Sequence, residues 1–272
     1  MLQEIFQYDD QSLLHLAKWQ AIDPTLQVGF TSRNGGISKG EFQTNNFGLH
    51  VSDQYEDVMA NRMGLAKTLN ISLENWVSGE QVHQTNVRVI TLDDAGRGAT
   101  SIESSLKGID GLITKERGLL CTAFFADCVP LFFFDPVTGY IGIAHAGWKG
   151  TVGKIATEMT TKLTELGVNL GDLLVTIGPC ISTEFYEIDD YVKERIPNEY
   201  HNTVLTPLQN QHYLLNLKQL NAEILVQSGV FRSNIAMTNY CTYRDEQLFF
   251  SHRRDHGKTG RMLGYIGYSR SL

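Results

Sequence analysis

In the stretch FFADCVPLFFFDPVTGYIGIAHAGWKGT (residues 124–151) a lone cysteine, Cys128, opens a strongly apolar run, and a lone histidine, His145, ends the next one. Thiolate and imidazole are ligands for zinc and copper, and together they are also a nucleophile and its base. The Pro- and Gly-bearing DPVTG between them reads as a turn, so VPLFFF and YIGIAHA read as the strands of a hairpin. If Asp135 to Thr138 form a four-residue loop, Phe134 faces Gly139 and, counting outward, Cys128 faces His145. Directly opposite residues share a face with Cβ atoms about 4.5–5.5 Å apart. A metal about 2.3 Å from sulfur and about 2.0 Å from nitrogen fits between such side chains. A loop one residue longer or shorter undoes the direct pairing, and a lone buried cysteine is more often a small hydrophobe.

His83, in GEQVHQTNV, is read as a strand residue in a polar setting of Glu80, Gln81, Gln84 and Thr85. On its own it would be a hydrogen-bonded structural histidine. With Cys128 and His145 it makes a His/Cys/His set, and three protein ligands with a fourth position open is the pattern of catalytic zinc. The spacing follows no zinc-finger rule.

The elements that must position these residues alternate between helix-like and strand-like. SDQYEDVMANRMGLAKTLNI reads as a helix capped by Ser52 or Asp53, with Val58, Arg62, Leu65, Ala66 and Leu69 on one face. TVGKIATEMTTKLTELG reads as one helix capped by Thr151 and closed by Gly167, and NLKQLNAEILVQSG as one from Asn216 to Gly229. LQVGF, the two halves of NWVSGEQVHQTNVRVITL, GIDGLIT, LLCTAFF and DLLVTIGPCI read as strands, and the end from IAMTNYCTY to GRM as strand, strand and basic loop. Mixed helices and hairpins predict an α+β fold with antiparallel or mixed sheets. Because VPLFFF is apolar on both faces, its sheet is expected to be covered on both sides.

The 272 residues can bury a substantial core, and 23 basic against 30 acidic side chains, a formal charge of -7, argue against a nucleic-acid binder. The first residues lack the basic head and apolar core of a secretory signal, and no run approaches a membrane span. Four dispersed cysteines without a C-x-x-C pair point to reduced thiols in a cytoplasm. Of these, Cys121 and Cys241 read as core. Cys180 is expected near a pocket rim with Tyr186 and Glu187.

Together GEQVHQTNV, DGLIT, ADCVPLFFFD, AHAGWKGT, IGPCI…YEI and FFSHRRD…GRM resemble the YfiH/YlmD-type family, whose members have been called polyphenol oxidases, multicopper laccases and purine nucleoside phosphorylases. The resemblance runs from about Thr31 to Met262. It implies a four-layer α/β/β/α sandwich with mixed sheets, one catalytic domain over residues 1–272, and a catalytic metal set of His83, Cys128 and His145. It makes Arg33, Asn46 and Gly48, in TSRNGGISKGEFQTNNFGLHVSD, candidates for lining the pocket. It also implies phosphorolysis of adenosine, inosine and methylthioadenosine to base and ribose 1-phosphate, with deamination of adenosine beside it. The implied partners are small purine nucleosides and phosphate. Neither monomer nor homodimer is singled out by the sequence.

The family's several names carry different chemical demands. A multicopper oxidase needs about ten histidines, several in His-x-His pairs, because imidazole suits Cu(II). This chain has eight and no such pair, although one copper could occupy the His83/Cys128/His145 site. Zinc there would suit attack of water on C6 of adenosine, with Glu80 or Asp127 as proton shuttle, but the P-C-x-x-C signature of the zinc deaminases is absent. Phosphorolysis needs an anion seat. GWKGT offers Lys149 and a helix start without being a Walker A loop. The basic run of Arg244, His252, Arg253, Arg254, Lys258 and Arg261 is either a solvated loop or a further anion holder. One or more of Arg33, Lys149 and Arg253 are expected to hold phosphate. The alternative is a metal-free cysteine hydrolase editing cell-wall peptide precursors, with Cys128 as nucleophile and His145 as base.

Overall fold

The structure, a computed structural model, describes residues 4–269, so the first and last three residues of the expected 1–272 domain lie outside the described residues. In chain order the strands begin with β1 (Gln7–Tyr8), β2 (Leu13–His15), β3 (Leu26–Thr31), β4 (Trp76–Ser78) and β5 (Val87–Val89). They continue with β6 (Gly111–Thr114), β7 (Leu120–Phe125), β8 (Val129–Phe134), β9 (Ile141–Ala146) and β10 (Leu174–Ile177). The last are β11 (Glu187–Asp189), β12 (Leu205–Pro207), β13 (His212–Leu215), β14 (Ile235–Met237) and β15 (Met262–Tyr268). The helices are α1 (Ala17–Ile22), α2 (Tyr55–Leu69), α3 (Trp148–Val152), α4 (Ile155–Glu165), α5 (Asp190–Lys193), α6 (Asn198–Val204) and α7 (Leu217–Gln227).

One six-stranded sheet runs β1-β2-β3-β15-β7-β4, a second runs β14-β10-β8-β9-β6-β5, and β11-β13-β12 form a small third sheet. Both large sheets are mixed: β4–β7, β5–β6 and β10–β14 are parallel pairs in otherwise antiparallel ladders. The period-2 alternation of a strand explains the layering. Along β8, Val129, Leu131 and Phe133 pack with Ile155, Met159 and Leu163 of α4 and with Leu220 and Ile224 of α7. The residues between, Phe132 and Phe134, pack with Val28 and Phe30 of β3, Cys121 and Phe125 of β7 and Ile266 of β15. On the far face of the first sheet, Leu120, Phe124, Leu263 and Tyr265 meet Leu65, Ala66 and Leu69 of α2. The order is helix, sheet, sheet, helix, the expected four-layer α+β sandwich, and it accounts for an apolar run without alternation in β8.

Several local expectations need correction. The hairpin turn is two residues longer than the four-residue loop: Phe134 pairs with Ile141, and His145 with Pro130 rather than with Cys128. Residues 151–167 form two helices, because Lys154 adopts a left-handed φ of 70° that breaks the run, and Thr151 lies inside α3. Neither Ser52 nor Asp53 caps α2; its N-cap is Gln54, and Asp53 accepts instead from Asn46 and from the Gln54 N–H. His83 sits in a loop with φ 62°, not in a strand. LFF (residues 248–250) is not a strand, whereas the seven-residue β15 went unread. Asn216 does cap α7, accepting from the Gln219 N–H, and Gly229 follows its end at φ 103°.

Candidate active site

Cys128 stands one residue before β8, and Gly147, one residue after β9, lies opposite it when the Val129–Ala146 pairing is extended. The two-residue correction is even, so it moves Cys128 from directly opposite His145 to a diagonal position on the same face. Ala144 and Ala146 pack toward α4, which turns His145 between them toward the gap between the sheets, where its ring stands 5.6 Å from that of Phe125. A Cβ on Gly147 would lie 2.9 Å from His83 Cδ2 and 3.0 Å from Cys128 Sγ, so only glycine leaves room for thiol and imidazole at this point.

His83 reaches the same space from the loop between β4 and β5, and two anchors hold that loop. Gln81 exchanges two 2.8 Å hydrogen bonds with the backbone of Phe124, taking the place of a neighbouring strand for one residue of β7. Asp110 accepts from the backbone N–H groups of Val82, His83 and Gln84 at 3.0–3.1 Å. The same buried carboxylate meets His145 Nδ1 at 2.9 Å, so the imidazole turns Nε2 toward Cys128 and His83. Asp110 is the principal residue the sequence reading missed; its only signal was its position in the quoted DGLIT.

The imidazoles of His83 and His145 are 4.7 Å apart at 81°, and Cys128 Sγ is 3.9 Å from His83 Nε2. One donor atom from each of the three residues lies within 4.8 Å of the others. Zinc bond lengths put tetrahedral donors about 3.5 Å apart, so an N, S, N set of this size fits the ion after a small contraction. The carboxylate on the outer nitrogen of His145 is the arrangement that orients a metal-binding histidine. Among the described residues this is the one group of three or more His, Cys, Asp or Glu side chains with donor atoms this close, an inventory for one metal rather than several.

Burial pushes the Cys128 thiol up, but the His145 charge and hydrogen bonds from His145 and His83 outweigh it and bring it down to about 6. Burial pulls His145 down, yet the Cys128 thiolate and Asp110 hold it up at about 9. The two titrate as a pair, thiolate with imidazolium, and metal binding would displace the proton of that pair. Cys121 and Cys180 are fully buried, and desolvation pushes both up to about 12. Cys180 is thus core, not rim. Cys241 is buried as expected, though in a loop joined to Cys180 by an isolated bridge rather than in a strand.

Above the donor set opens a cleft of about 700 Å³, within the range of small-molecule sites. Lys149, Arg253, Asp127, Glu80 and Tyr186 line it as expected, together with His50, Phe124, Trp148, His252 and Arg261. Arg33 does not: it lies over the Phe250 ring and donates to the Gln43 and Glu246 carbonyls. Asn46 is also absent from the lining and serves inside the fold, accepting from the N–H groups of Gly48 and Arg261. Glu187 is absent from the lining too: its backbone oxygen accepts from Arg253 and its carboxylate meets His212. Of the basic run, Arg244 and Arg254 are bonded to Asp245 and Asp255, and only His252, Arg253 and Arg261 reach the cleft. The helix start expected at GWKGT is a five-residue turn, too short for an appreciable dipole, so Lys149 contributes its own charge alone. Asp127, at φ 84°, accepts from Thr242, Ser251 and the Arg253 N–H, which ties the 251–254 loop to Cys128.

Residues 27–269 match the family described as multi-copper polyphenol oxidoreductase laccase. The chain is 44% identical over 243 residues to the purine nucleoside phosphorylase YlmD of Bacillus subtilis strain 168, covering 88% of this chain and 87% of that one. It superposes on the crystal structure of YlmD from Geobacillus stearothermophilus with a TM-score of 0.93 and 39% identity, covering 98% of this chain and 100% of that one. A crystal structure described as the hypothetical protein YfiH of Bacillus licheniformis also gives 0.93, at 38% identity, covering 97% and 98%.

Proposed function

The chain belongs to the family described as multi-copper polyphenol oxidoreductase laccase, the YfiH/YlmD-type family, and from that premise we propose that it is a purine nucleoside phosphorylase. It takes adenosine, inosine and methylthioadenosine and works as one catalytic domain in the cytoplasm, where its four unpaired cysteines stay reduced. The observation that carries the reading is a His/Cys/His donor set at the base of a cleft whose walls hold cations without a carboxylate partner among the described residues, in a chain 44% identical to a named phosphorylase. His83, Cys128 and His145 would hold zinc, which supplies Lewis acidity to the reacting atoms. Lys149 and Arg253 face the cleft and attract the phosphate dianion. A phosphate oxygen bonds to C1′ of the ribose as the C1′–N9 bond breaks, and the base leaves protonated, taking up the proton that phosphate releases. His50, held neutral by burial and by the nearby charges of Arg261 and Arg62, which bring it down to about 4, offers an uncharged imidazole beside Phe124 for the base.

Deamination of adenosine is the side activity of the same centre. With Asp127 committed to three hydrogen bonds, Glu80, which binds Lys107 and the Gly108 N–H on the cleft wall, is the carboxylate left to move a proton. The test is incubation of each nucleoside with and without phosphate and separation of the products. Phosphate-dependent appearance of free base and ribose 1-phosphate is the expected result, and inosine from adenosine without phosphate reports the side activity. If no nucleoside is consumed, the reading is wrong.

One observation favours a second reading. Asp110, His145 and Cys128 follow one another as orienting carboxylate, base and thiol, as in a cysteine hydrolase. An acyl adduct on Cys128 of the metal-stripped protein, seen by intact mass spectrometry, would favour it.

A further inference from the structure

Lys149, Arg253 and Arg261 line the cleft, and among the described residues none of the three lies within ion-pair distance of a carboxylate. Two of them are loosely held. Lys149 is exposed with its Nζ 5.7 Å from the Trp148 ring, and Arg253 is exposed over Tyr186 with one nitrogen on the Glu187 carbonyl.

Arg261 is built in. Its backbone N–H donates to Asn46 Oδ1 at 2.8 Å, the atom that also accepts from the Gly48 N–H at 2.9 Å. Asp53 fixes the other side of that amide, accepting from Asn46 Nδ2 at 2.9 Å. The side chain lies directly on Gly48: a Cβ there would be 2.8 Å from Arg261 Cγ and 3.3 Å from His50 Cε1. Nη1 donates to the Thr259 and Gly260 carbonyls at 2.8 and 3.0 Å, so one corner of the guanidinium is clamped. Nε and Nη2 have no protein acceptor among the described residues, and these two nitrogens form the edge that grips a phosphate or carboxylate with two parallel hydrogen bonds. A half-buried guanidinium with no carboxylate in ion-pair contact among the described residues, near Cys128 and Asp127 and oriented by an amide and a glycine, is a seat for an anion.

We propose that Arg261, seated by Asn46 and Gly48, is the principal phosphate-binding residue of the cleft, and that Lys149 and Arg253 are secondary to it. The assignment rests on the phosphorylase reading for the identity of the anion. It gives Asn46 and Gly48 a positioning role in place of the pocket lining expected of them.

Thermal melting in inorganic phosphate reads the seat without turnover, and phosphorolysis of inosine reads the reaction. Phosphate should raise the melting temperature of the parent protein, and the shift should vanish in Arg261→Gln, a variant that keeps the Asn46 contact to the backbone. In turnover, Arg261→Gln should raise the phosphate KM by about tenfold to a hundredfold, the range for losing a charge-assisted hydrogen-bonded pair, with the inosine KM within twofold of the parent. Gly48→Ala, which displaces the side chain while leaving its charge, should move the phosphate KM in the same direction. An undiminished phosphate shift in Arg261→Gln, or no shift in the parent, overturns the seat. A shift with adenosine monophosphate and none with inorganic phosphate would assign the edge to a nucleotide instead and overturn it too. A phosphate shift lost in Arg261→Gln without any parent turnover would leave the seat standing and remove the phosphorylase reading.

Discussion

Asp110 couples two parts of the centre that arrive from distant stretches of chain. Its Oδ1 meets His145 Nδ1 and also accepts the His83 N–H, so one carboxylate fixes both the ring on β9 and the loop that carries the other ring. Asp110→Asn keeps the size and loses the charge. Zinc affinity, measured by chelator competition, should fall about tenfold to a hundredfold, the usual cost of removing an orienting carboxylate. A second prediction concerns the metal-free protein. A folded thiol brought down to about 6 is thiolate above that pH, so alkylation of Cys128 by iodoacetamide should rise through pH 6 and then level off. An ordinary thiol would still be gaining rate at pH 8. Asp110→Asn should move that midpoint upward, because the imidazolium facing the thiolate loses its support. Cys128, His83 and His145 were legible in the sequence because unusual residue types stood in unusual company. Asp110 was not, since a lone Asp before a strand carries no sign that three backbone N–H groups of another loop converge on it.

At the scale of elements, the hairpin and the glycine that follows it set the donor geometry. The turn is two residues longer than the sequence pattern predicts, yet Cys128 and His145 stay on one face because the strand period is two. An odd difference would have sent one of them to the helix layer. Gly147→Ala tests this placement: its Cβ would sit 3.0 Å from Cys128 Sγ and 2.9 Å from His83 Cδ2, and neither side chain can retreat without opening the set. Zinc content after dialysis should drop well below that of the parent while the far-ultraviolet circular dichroism stays unchanged. The loop holding His83 was read as a strand because its β-branched neighbours resemble one. What makes it a loop is long-range: Gln81 bonds Phe124 and Asp110 bonds residues 82–84, and pairing of that kind leaves no local pattern. Strand β15 escaped for a similar reason, since its glycines at 264 and 267 weaken the apolar signal. Those glycines are needed where Gly264 packs on Phe125 and Gly267 on the Leu119 carbonyl.

For the whole molecule, the two inner sheet faces and the two helix layers make three stacked cores, and the centre lies where the inner one opens to solvent. Phe132 is fully buried between the sheets, and Phe132→Ala should cost about 3–5 kcal/mol in denaturant unfolding. Arg62 is equally buried, and among the described residues its charge is answered by the carbonyls of Phe47, Gly98 and Ala99 and by the face of Phe124. Burial takes it down to about 9. Arg62→Met would orphan those carbonyls, so a loss of about 3 kcal/mol is expected in the same measurement. The layer order was expected from the family resemblance and α+β from the alternation of elements. The small third sheet was not foreseen, because strands of three and four residues fall below what periodicity resolves.

On the proposed reading, release of the purine base requires one metal held by His83, Cys128 and His145. Titrating metal-stripped protein with zinc while following phosphate-dependent release of hypoxanthine from inosine tests it most directly. Activity should climb in proportion to added zinc and level off at one equivalent per chain, and Cys128→Ala should stay flat throughout. Full activity before any zinc is added, or a plateau reached only after several equivalents, would contradict it.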